Sequence, residues 1–423
     1  MFLRKLKNLL HYFYAFYGAV RFVFPSDELL VIGVTGTSGK SSTIYFLKQV
    51  LEFVGFKVGA LSTIEFCVAG QCELNDKKMT MLGRTFIQQK LREMVRAGCQ
   101  IAIIETTSEG YLQHRHQFIN YDTIVLTNLY PEHIEAHGGF ENYKAAKLGI
   151  FEYVSKLKKK NLKAKRIEKT AIVNGASEYA EEFLQYNFEK KIRFQASESK
   201  YQSPLYGEHN EENLACVAAI ARSLDISEEK IKLAISQIKS PPGRIEFISG
   251  AEKFGFRVIV DYAFEPVALQ KLYDVVKLLD VKGRIIHVCG STGGGRDKSR
   301  REPIGKLVGE QADIFIVTDE DPYDEDPMEI IKTVSAGAQS VGLPATPASG
   351  LAWRAGKKLG ENLFEILDRK VAIQKALELA HTGDLVLVTG KGSEQAMCVK
   401  SGLIKWDDRE IVRESLKMRT PGR

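Results

Sequence analysis

A short apolar strand that runs into a glycine-rich turn closed by a lysine limits the folds open to this 423-residue chain. Residues 31–43 read VIGVTGTSGKSST. In such a turn, backbone N–H groups and a helix N-terminus face one phosphate group, the lysine reaches the β- and γ-phosphates, and the following hydroxyl can bind Mg²⁺. The strict pattern has glycine where Val34 stands, but Lys-Ser-Ser at a helix start has no packing reason to be there. The turn therefore predicts contacts to the phosphates of ATP from Gly36, Thr37, Ser38, Gly39, Lys40, Ser41 and Ser42.

Composition excludes several classes of protein. With 44% hydrophobic residues the chain can fill more than one core, because single cores rarely grow past roughly 250–300 residues. Its net charge of +6 is mild, and much of the positive charge lies in the run 156–169, which is typical of a solvated surface, so no nucleic-acid partner is predicted. The six cysteines contain no Cys-x-x-Cys pair. We therefore expect neither a zinc ribbon nor a disulfide framework, and a location in the reducing cytoplasm.

The first 24 residues combine basic and aromatic side chains. Arg4, Lys5 and Lys7 precede the run HYFYAFY at 11–17, but the uncharged stretch 8–20 is shorter than the roughly 20 apolar residues of a membrane-spanning helix. The segment also has no small-residue cleavage site of the kind that ends a signal peptide. We expect residues 1–28 to pack on the body of the protein, and the alternative is a helix in weak contact with a membrane surface.

Short β-branched runs alternate with helical stretches along the rest of the chain. Before residue 240 the predicted strands are 101–104, 123–126 and 171–173, and the predicted helices lie near 41–54, 84–97 and 141–155. After the turn formers SPPG at 240–243, the predicted strands are 257–260, 285–288, 314–317 and 385–388. This alternation is typical of parallel sheets with crossover helices. We therefore predict an α/β fold, with a P-loop central ATPase domain and a mostly parallel sheet at 29–240 and a Rossmann-like α/β C-terminal domain at 241–423.

Charged or glycine-rich residues follow the predicted strands. Glu105 ends the strand 101–104, where a P-loop enzyme keeps the carboxylate that holds its Mg²⁺. In the second domain the strands end at Asp261 and at the runs 290–297, 319–321 and 390–394. Ligands of open α/β sheets bind at the carboxyl ends of the strands. Both domains are therefore predicted to carry a ligand site at this edge.

Further motifs carry a resemblance to a known family. Residues 127–138 read TNLYPEHIEAHG, residues 143–147 read YKAAK, and residues 389–394 read TGKGSE. Together with the P-loop they resemble the Mur ligases, cytoplasmic ATP-dependent amide-forming ligases of cell-wall peptide synthesis. The resemblance extends from about Leu30 onward and is strongest to the members that add the third amino acid to UDP-N-acetylmuramoyl-dipeptide. It implies an ADP-forming ligase that adds an amino acid to a muramoyl-peptide-type acceptor through an acyl phosphate.

The resemblance also implies roles for individual residues. The stretches 105–115, 207–213 and 293–298 are similar to the family's acceptor-binding segment, a segment near the adenine and a phosphate-facing loop. The implied catalytic residues are Lys40, Glu105, His133, Lys147 and Arg296. The implied additional ATP contacts are Asn210, Asn213 and Arg296, and the implied acceptor contacts are Thr80, Thr107, Ser108, Gln113 and Arg115. The implied Mg²⁺ ligands are Ser41, Glu105, His133 and Lys147, the last as a carbamate formed with CO₂.

The incoming amino acid is predicted to be lysine-like. By resemblance, its binding residues are Glu320, Asp321, Tyr323 and Glu394. Family members that use diaminopimelate carry Asp-Asn-Pro-Arg where this chain has EDPY at 320–323, and the absent arginine would pair with the distal carboxylate. The three acidic residues would instead favour a side-chain ammonium.

The chain departs from the family at several places, and two other functions compete. Glu132 replaces an aspartate, Phe264 and Ser393 stand where histidine is usual, and the segment 1–28 is too short for the usual uridine-binding N-terminal domain, so we expect a monomer without that domain. A folylpolyglutamate-synthase-like ligase shares the architecture, but its Ser-Pro-His segment is not found at 61–64, which read LSTI. A non-ligase P-loop nucleotide switch would have no need of Lys147, and the chain lacks the Asn-Lys-x-Asp motif that reads guanine.

Overall fold

The computed structural model describes residues 2–77, 79–131, 137–198, 201–295, 298–341 and 356–419, with side chains from residue 10 onward. The chain divides into two compact units, a first unit of Met1–Lys239 and a second unit of Ser240–Arg423. Each unit contains its own sheet and its own apolar clusters. Within the described residues, no helix combines the length and the apolar character that crossing a membrane requires.

The first unit is a sheet covered by helices on both faces. Its described helices of five or more residues are α1 (Phe2–Arg21), α2 (Lys40–Phe53), α3 (Arg84–Arg96), α4 (Ser108–Leu112), α5 (Phe140–Ser155), α6 (Ala180–Leu184), α7 (Glu208–Ser223) and α8 (Glu228–Ser236). Its strands are β1 (Leu30–Thr35), β2 (Val58–Leu61), β3 (Glu65–Val68), β4 (Gln71–Leu74), β5 (Ile101–Glu105), β6 (Thr123–Leu126), β7 (Asn161–Leu162), β8 (Lys165–Arg166), β9 (Thr170–Asn174) and β10 (Lys190–Phe194). The main sheet has the order β10-β9-β6-β1-β5-β2-β3-β4 and is parallel except that β3 pairs antiparallel with both β2 and β4. A separate hairpin is formed by β7 and β8.

The central strand β1 explains why the site lies at one edge of this sheet. It pairs in parallel with β5 and β6, in a register that aligns Val34 with Glu105 and Thr35 with Leu126. All residues of β1 after Leu30 are buried, as expected for a parallel strand with both faces covered. The carboxyl ends of β1, β5 and β6 therefore meet at one edge, beside the N-terminus of α2.

The helix α1 packs on α3 through its small residues. Ala15 and Ala19 are buried, and a side chain on Gly18 would come within 2.9 Å of the Thr85 backbone. The side chain of Arg92 ties the end of the helix by donating from Nε to the Phe22 carbonyl at 2.9 Å. Two aromatic residues of the helix, Tyr12 and Phe16, contact the ring of Phe118 at 5.1 and 5.4 Å between ring centres, while Phe13, Tyr14 and Tyr17 are more than half exposed. The helix is thus attached by its small residues and by two of its aromatic rings, and its other aromatic side chains remain exposed.

The second unit is a mostly parallel sheet with helices. Its described helices are α9 (Pro266–Lys277), α10 (Arg301–Gln311), α11 (Pro327–Gln339), α12 (Arg369–Leu379) and α13 (Asp408–Met418). Its strands are β11 (Glu246–Phe247), β12 (Arg257–Asp261), β13 (Ile285–Cys289), β14 (Ile314–Thr318), β15 (Leu363–Ile366), β16 (Leu385–Thr389), β17 (Ala396–Val399) and β18 (Gly402–Lys405). The sheet order is β11-β12-β16-β13-β14-β15, antiparallel only between β11 and β12, and β17 pairs with β18 in a separate hairpin. The predicted α/β fold is confirmed, and all seven predicted strands are present.

One pair of cysteines forms a bond that the sequence analysis did not predict. Cys67 and Cys72 are joined by a disulfide. They oppose each other in the antiparallel register of β3 and β4, which turn back through Ala69 and Gly70, both with positive φ. The two cysteines are five residues apart and form no Cys-x-x-Cys pair; a tight hairpin, not a metal motif, brings them together. The other four cysteines are free thiols.

Candidate active site

The glycine-rich turn after β1 is a tightly packed loop. Gly36 and Gly39 have φ values of 152° and 77°, a region that residues with a side chain rarely adopt. A Cβ atom at Gly36 would lie 1.9 Å from the Thr127 hydroxyl oxygen, and one at Gly39 would lie 2.4 Å from Oδ1 of Asn213. Both positions therefore require glycine. The first helical residue after the turn is Lys40, so the loop ends at the N-terminus of α2, where the helix dipole favours an anion.

Two residues that follow β6 hold the loop in place. Asn128 accepts hydrogen bonds on Oδ1 from the backbone N–H groups of Thr37 at 3.1 Å and Ser38 at 2.8 Å. Thr127 donates from its hydroxyl to the Ser38 carbonyl at 2.7 Å. Neither residue was among the predicted site residues, although both open the motif TNLYPEHIEAHG. Their place directly after a buried parallel strand was the available signal.

The predicted phosphate-binding lysine lies over the loop. Lys40 donates from Nζ to the carbonyl oxygens of Gly36 at 3.1 Å and Thr37 at 2.9 Å. The next two residues, Ser41 and Ser42, form the first turn of α2. The structure thus brings the predicted residues 36–42 together at one end of the sheet.

Glu105 is the buried acid of this end. Its carboxylate accepts from the Ser41 hydroxyl at 2.9 and 3.0 Å, and from the backbone N–H and hydroxyl of Thr63 at 2.8 and 3.0 Å. Thr63 was not among the predicted site residues, because it lies in the turn between β2 and β3 and belongs to no recognisable motif. Carboxylate and hydroxyl oxygens are the ligand type that Mg²⁺ takes, so Ser41 and Glu105 fit the predicted metal position.

Lys147 is a buried lysine on α5 and not a surface residue. Its side chain is 1% exposed, and Nζ donates to the Gly36 carbonyl at 2.7 Å. It also lies 4.6 Å from the ring centre of Tyr143, whose hydroxyl donates to that of Thr37 at 3.2 Å. The lysine is therefore in direct contact with the phosphate loop. His133, and the departure at Glu132, lie outside the described residues.

The predicted adenine-side residues differ in position. Asn213 is buried beside Gly39 and accepts on Oδ1 from the Thr43 hydroxyl at 3.3 Å. Asn210 donates from Nδ2 to the Tyr206 carbonyl at 2.8 Å, at the start of α7. Asn213 therefore lies against the phosphate loop and α2, whereas the described contact of Asn210 is to a residue just before its own helix.

The predicted acceptor residues lie around α4. Thr107 caps this helix by accepting from the Gly110 N–H at 3.0 Å, and the Ser108 hydroxyl lies 3.2 Å from Nε2 of His137. Gln113 and Arg115 are in contact, with 2.7 Å between Oε1 and Nη2. Thr80 precedes the residue whose carbonyl accepts from Nη1 of Arg115. These residues form one neighbourhood, to which the structure adds His137 and Arg84.

In the second unit, a buried lysine occupies the predicted amino-acid site. Lys391 is 0% exposed and donates from Nζ to Oδ2 of Asp321 at 2.8 Å and to Oε2 of Glu394. The Glu394 carboxylate also accepts from the Tyr262 hydroxyl at 3.3 Å. Two of the three carboxylates predicted to favour a substrate ammonium thus share the ammonium of Lys391. Tyr323, the fourth predicted residue, has a positive φ of 56°.

Glu320 is the acid that this lysine does not bind. It is 2% exposed, and its Oε2 makes no hydrogen bond to any described residue. Burial raises its pKa to about 8, against the attraction of Arg369 and Lys391. A Cβ atom at Gly390 would lie 2.0 Å from this carboxylate, so the glycine at the end of β16 leaves room for it.

Three further residues of the second unit were singled out from the sequence, and the structure describes two of them. Phe264, which stands where the family has histidine, lies 5.5 Å from the guanidinium of Arg300, while Ser393 is buried and its carbonyl accepts from Gln395. Phe264 thus makes a ring–cation contact at this position. Arg296 lies outside the described residues.

Comparison with known proteins agrees with these features. Residues 34–221 match the Mur ligase middle domain, and residues 243–392 match the family model described as Mur ligase, glutamate ligase domain. UDP-N-acetylmuramyl-tripeptide synthetase from Borreliella burgdorferi is 34% identical over 413 residues, which cover 93% of this chain and 77% of that protein. UDP-N-acetylmuramoyl-L-alanyl-D-glutamate–2,6-diaminopimelate ligase 2 from Clostridium acetobutylicum is 30% identical over 407 residues, covering 93% and 79%. Mycobacterium tuberculosis folylpolyglutamate synthase has the same fold, with a TM-score of 0.66 at 13% identity over 96% of this chain and 95% of that one.

Proposed function

The chain belongs to the Mur ligase family, and from this membership we propose that it is an ATP-dependent ligase that joins an amino acid to a muramoyl-peptide acceptor in peptidoglycan synthesis. The products are the extended peptide, ADP and phosphate. We assign the ATP-binding domain to residues 29–240 and the C-terminal ligase domain to residues 241–423. The folylpolyglutamate reading is weaker, because that similarity is one of fold at 13% identity.

The contact of Glu105 with Ser41 is the observation that supports the reaction most directly. A buried carboxylate held against the first hydroxyl after a phosphate loop has the arrangement by which P-loop enzymes hold a divalent cation. Mg²⁺ bound there would screen the negative charge of the phosphates. The chain's own residues then orient the nucleotide, since Lys40 can turn from the loop carbonyls to the phosphates and the N-terminus of α2 faces them.

The reaction follows from bringing anionic groups together. An oxygen of the acceptor carboxylate attacks the γ-phosphorus, the bond to the β-phosphate oxygen breaks, and ADP leaves. The amine of the amino acid then attacks the acyl carbon, and phosphate leaves with the carboxylate oxygen. Both steps need charge stabilisation more than covalent help from the protein, which is why cationic groups and N–H donors surround the site.

Lys147 is proposed to carry the carbamate that the family resemblance implies. Its amine is buried against the Gly36 carbonyl, beside the loop that receives the phosphates. An ammonium there would repel a nearby cation, whereas the carbamate provides anionic oxygens and keeps one N–H to donate to Gly36. His133 is proposed as a ligand of a second cation.

The incoming amino acid is proposed to be lysine or a similar diamine. Tyr323 stands where an arginine would pair with the distal carboxylate of diaminopimelate. Asp321 and Glu394 already bind the single ammonium of Lys391, whereas Oε2 of Glu320 has no hydrogen-bond partner among the described residues, so we assign the substrate ammonium to Glu320. Deprotonation of Glu320 as the pH rises toward 8 would therefore strengthen amino-acid binding.

The exposed aromatic side of α1 is proposed to make a weak contact with an anionic membrane surface. Residues 2–21 carry Arg4, Lys5, Lys7 and Arg21 and no acidic residue, and Phe13 and Tyr17 are 57% and 56% exposed. Basic and aromatic residues on one amphipathic helix are typical of binding at a lipid interface.

Co-sedimentation with phosphatidylglycerol vesicles should fall for Phe13→Ser/Tyr17→Ser and stay unchanged for the control Val267→Ser/Leu278→Ser, which removes two somewhat more exposed apolar residues of the second unit. Equal sedimentation of the two variants would refute the contact.

A phosphate-release assay tests the proposed function. The purified chain with ATP and Mg²⁺ is given UDP-N-acetylmuramoyl-L-alanyl-D-glutamate with each of a panel of amino acids. We expect release that requires both the acceptor and one amino acid, with an acceptor extended by that residue in the mass spectrum. Release without acceptor would favour a nucleotide switch, and release with a folate and glutamate would favour the folylpolyglutamate alternative.

A further inference from the structure

Two arginines converge on one glutamine beside α4. Arg84, the first residue of α3, donates from Nε to the Gln113 carbonyl at 2.8 Å and from Nη2 to the same oxygen. Arg115 donates from Nε and Nη2 to Oε1 of Gln113 at 3.1 and 2.7 Å. One residue thus holds a guanidinium at its backbone and another at its side chain. Sequence reasoning named Arg115 and Gln113 but not Arg84.

The two guanidinium groups have neutral partners. Apart from Gln113, the described hydrogen bonds lead only to the Met81 carbonyl, which accepts from Nη1 of Arg115. Within the part of the chain that the structure describes, neither arginine forms an ion pair with a carboxylate. Burial and the neighbouring Arg115 lower the pKa of Arg84, and burial lowers the pKa of Arg115 against the attraction of Glu109, which is not bonded to it. Two like charges are therefore held together, half-buried, without a counter-ion bonded to either.

The pair retains donors for an anion. A guanidinium has five N–H groups, and Nη1 of Arg84 bonds to no described residue. Arginine forks bind carboxylates with two parallel hydrogen bonds, and such charge-assisted bonds are about twice as strong as neutral ones. A carboxylate placed between the two groups would satisfy the free donors and remove the repulsion. The arrangement therefore fits a bound carboxylate better than a purely structural contact.

We propose that Arg84 is a specificity-determining residue of the acceptor site, where it acts with Arg115 on a single acceptor carboxylate. The inference rests on the proposed function, which places Arg115 at the acceptor. The acceptor in the name of the Clostridium relative ends in D-glutamate, a residue with two carboxylates. Only one of them becomes an amide, so the other remains an anion that the enzyme must hold. Arg84 and Arg115 bind that remaining carboxylate.

The test compares an acid and an amide at one position of the acceptor. Arg84→Gln is assayed with UDP-N-acetylmuramoyl-L-alanyl-D-glutamate and with the analogue whose unextended glutamate carboxylate is a carboxamide. We expect KM for the acid acceptor to rise about 10- to 100-fold, with kcat and KM for ATP nearly unchanged. With the carboxamide, wild type and Arg84→Gln should differ less than twofold in KM. Lys90→Gln is the matched control, since Lys90 lies on the same helix and is paired with Glu73 and Glu93.

Direct titration separates this inference from the proposed function. Calorimetric binding of the acid acceptor without ATP should weaken about tenfold or more in Arg84→Gln and not in Lys90→Gln. If wild type forms no product but shows this loss of binding, the proposed function fails and the arginine pair stands. The inference is wrong if wild type does not bind the acid acceptor, or if Arg84→Gln binds it as tightly as wild type does. It is also wrong if the variant loses as much affinity for the carboxamide analogue as for the acid acceptor.

Discussion

Replacing Glu320 by glutamine should remove a pH dependence from the stability of the second unit. Burial raises the pKa of this carboxyl from 4.5 to about 8. Between these values the folded state keeps a proton that the unfolded state releases, so the stability is complete below pH 4.5 and is lost progressively up to about pH 8. The loss amounts to about 1.4 kcal/mol for each pH unit in that window. Glutamine is neutral throughout, so the variant lacks this loss.

Urea unfolding followed by tryptophan fluorescence measures the effect, because Trp406 lies in the second unit and Trp353 also follows residue 240 in the sequence. We expect the difference in unfolding free energy, variant minus wild type, to grow by about 1.4 kcal/mol per unit from pH 5 to pH 8. Any change that the new amide group makes to the free energy of unfolding is independent of pH, so it does not affect this slope. The control is Glu325→Gln, since pairing with Lys298 and Arg301 lowers the pKa of Glu325 to about 2 and leaves it ionised in both states above pH 5. A difference for Glu320→Gln as flat as that control would show that the carboxyl is ionised in the fold and refute the reasoning.

Three further outcomes follow from the site. Lys40→Ala should abolish acceptor-dependent phosphate release without changing circular dichroism, because its Nζ bonds to carbonyl oxygens of the phosphate loop; more than a few per cent of residual activity would remove it from the mechanism. Lys147 should show an added carboxyl group on Nζ in a high-resolution map of the metal-loaded enzyme, and an unmodified amine would contradict the carbamate. Lysine should exceed diaminopimelate in kcat/KM, because leaving the distal carboxylate of diaminopimelate unpaired costs about 2–5 kcal/mol, and a preference for diaminopimelate would mean that Tyr323 has been misread.

The backbone of both units could be predicted from local patterns. The runs around residues 103, 125, 259 and 316 are β-branched, short and bounded by turn formers, which is enough to identify buried parallel strands. The phosphate loop was equally visible, because its glycines, lysine and hydroxyl are consecutive in the sequence. The position of Glu105 could be predicted because it ends a buried strand, and the end of such a strand lies at the edge of the sheet where the phosphate loop begins.

The missing parts involve residues that meet from distant segments. Lys391 reaches Asp321 across 70 positions, and a lysine in a glycine-rich stretch gives no sign that it is buried. Thr63 meets Glu105 only because β2 lies beside β5, a pairing that the sequence did not specify. Arg84 begins a helix whose pattern predicts its apolar side and says nothing about the guanidinium at its first turn. Such contacts depend on the order of strands in the sheet, which periodicity leaves open.

Isotope transfer tests the central claim most directly. The acceptor is labelled with ¹⁸O in the carboxylate that becomes the amide, and the phosphate released during turnover with ATP and lysine is analysed by mass spectrometry. If the carboxylate attacks the γ-phosphorus and the amine then displaces phosphate, each phosphate molecule carries one labelled oxygen from the acceptor. Phosphate that contains no label, or that takes its new oxygen from ¹⁸O-labelled water, would contradict an acyl phosphate and with it the assignment of this chain as an amide-forming ligase.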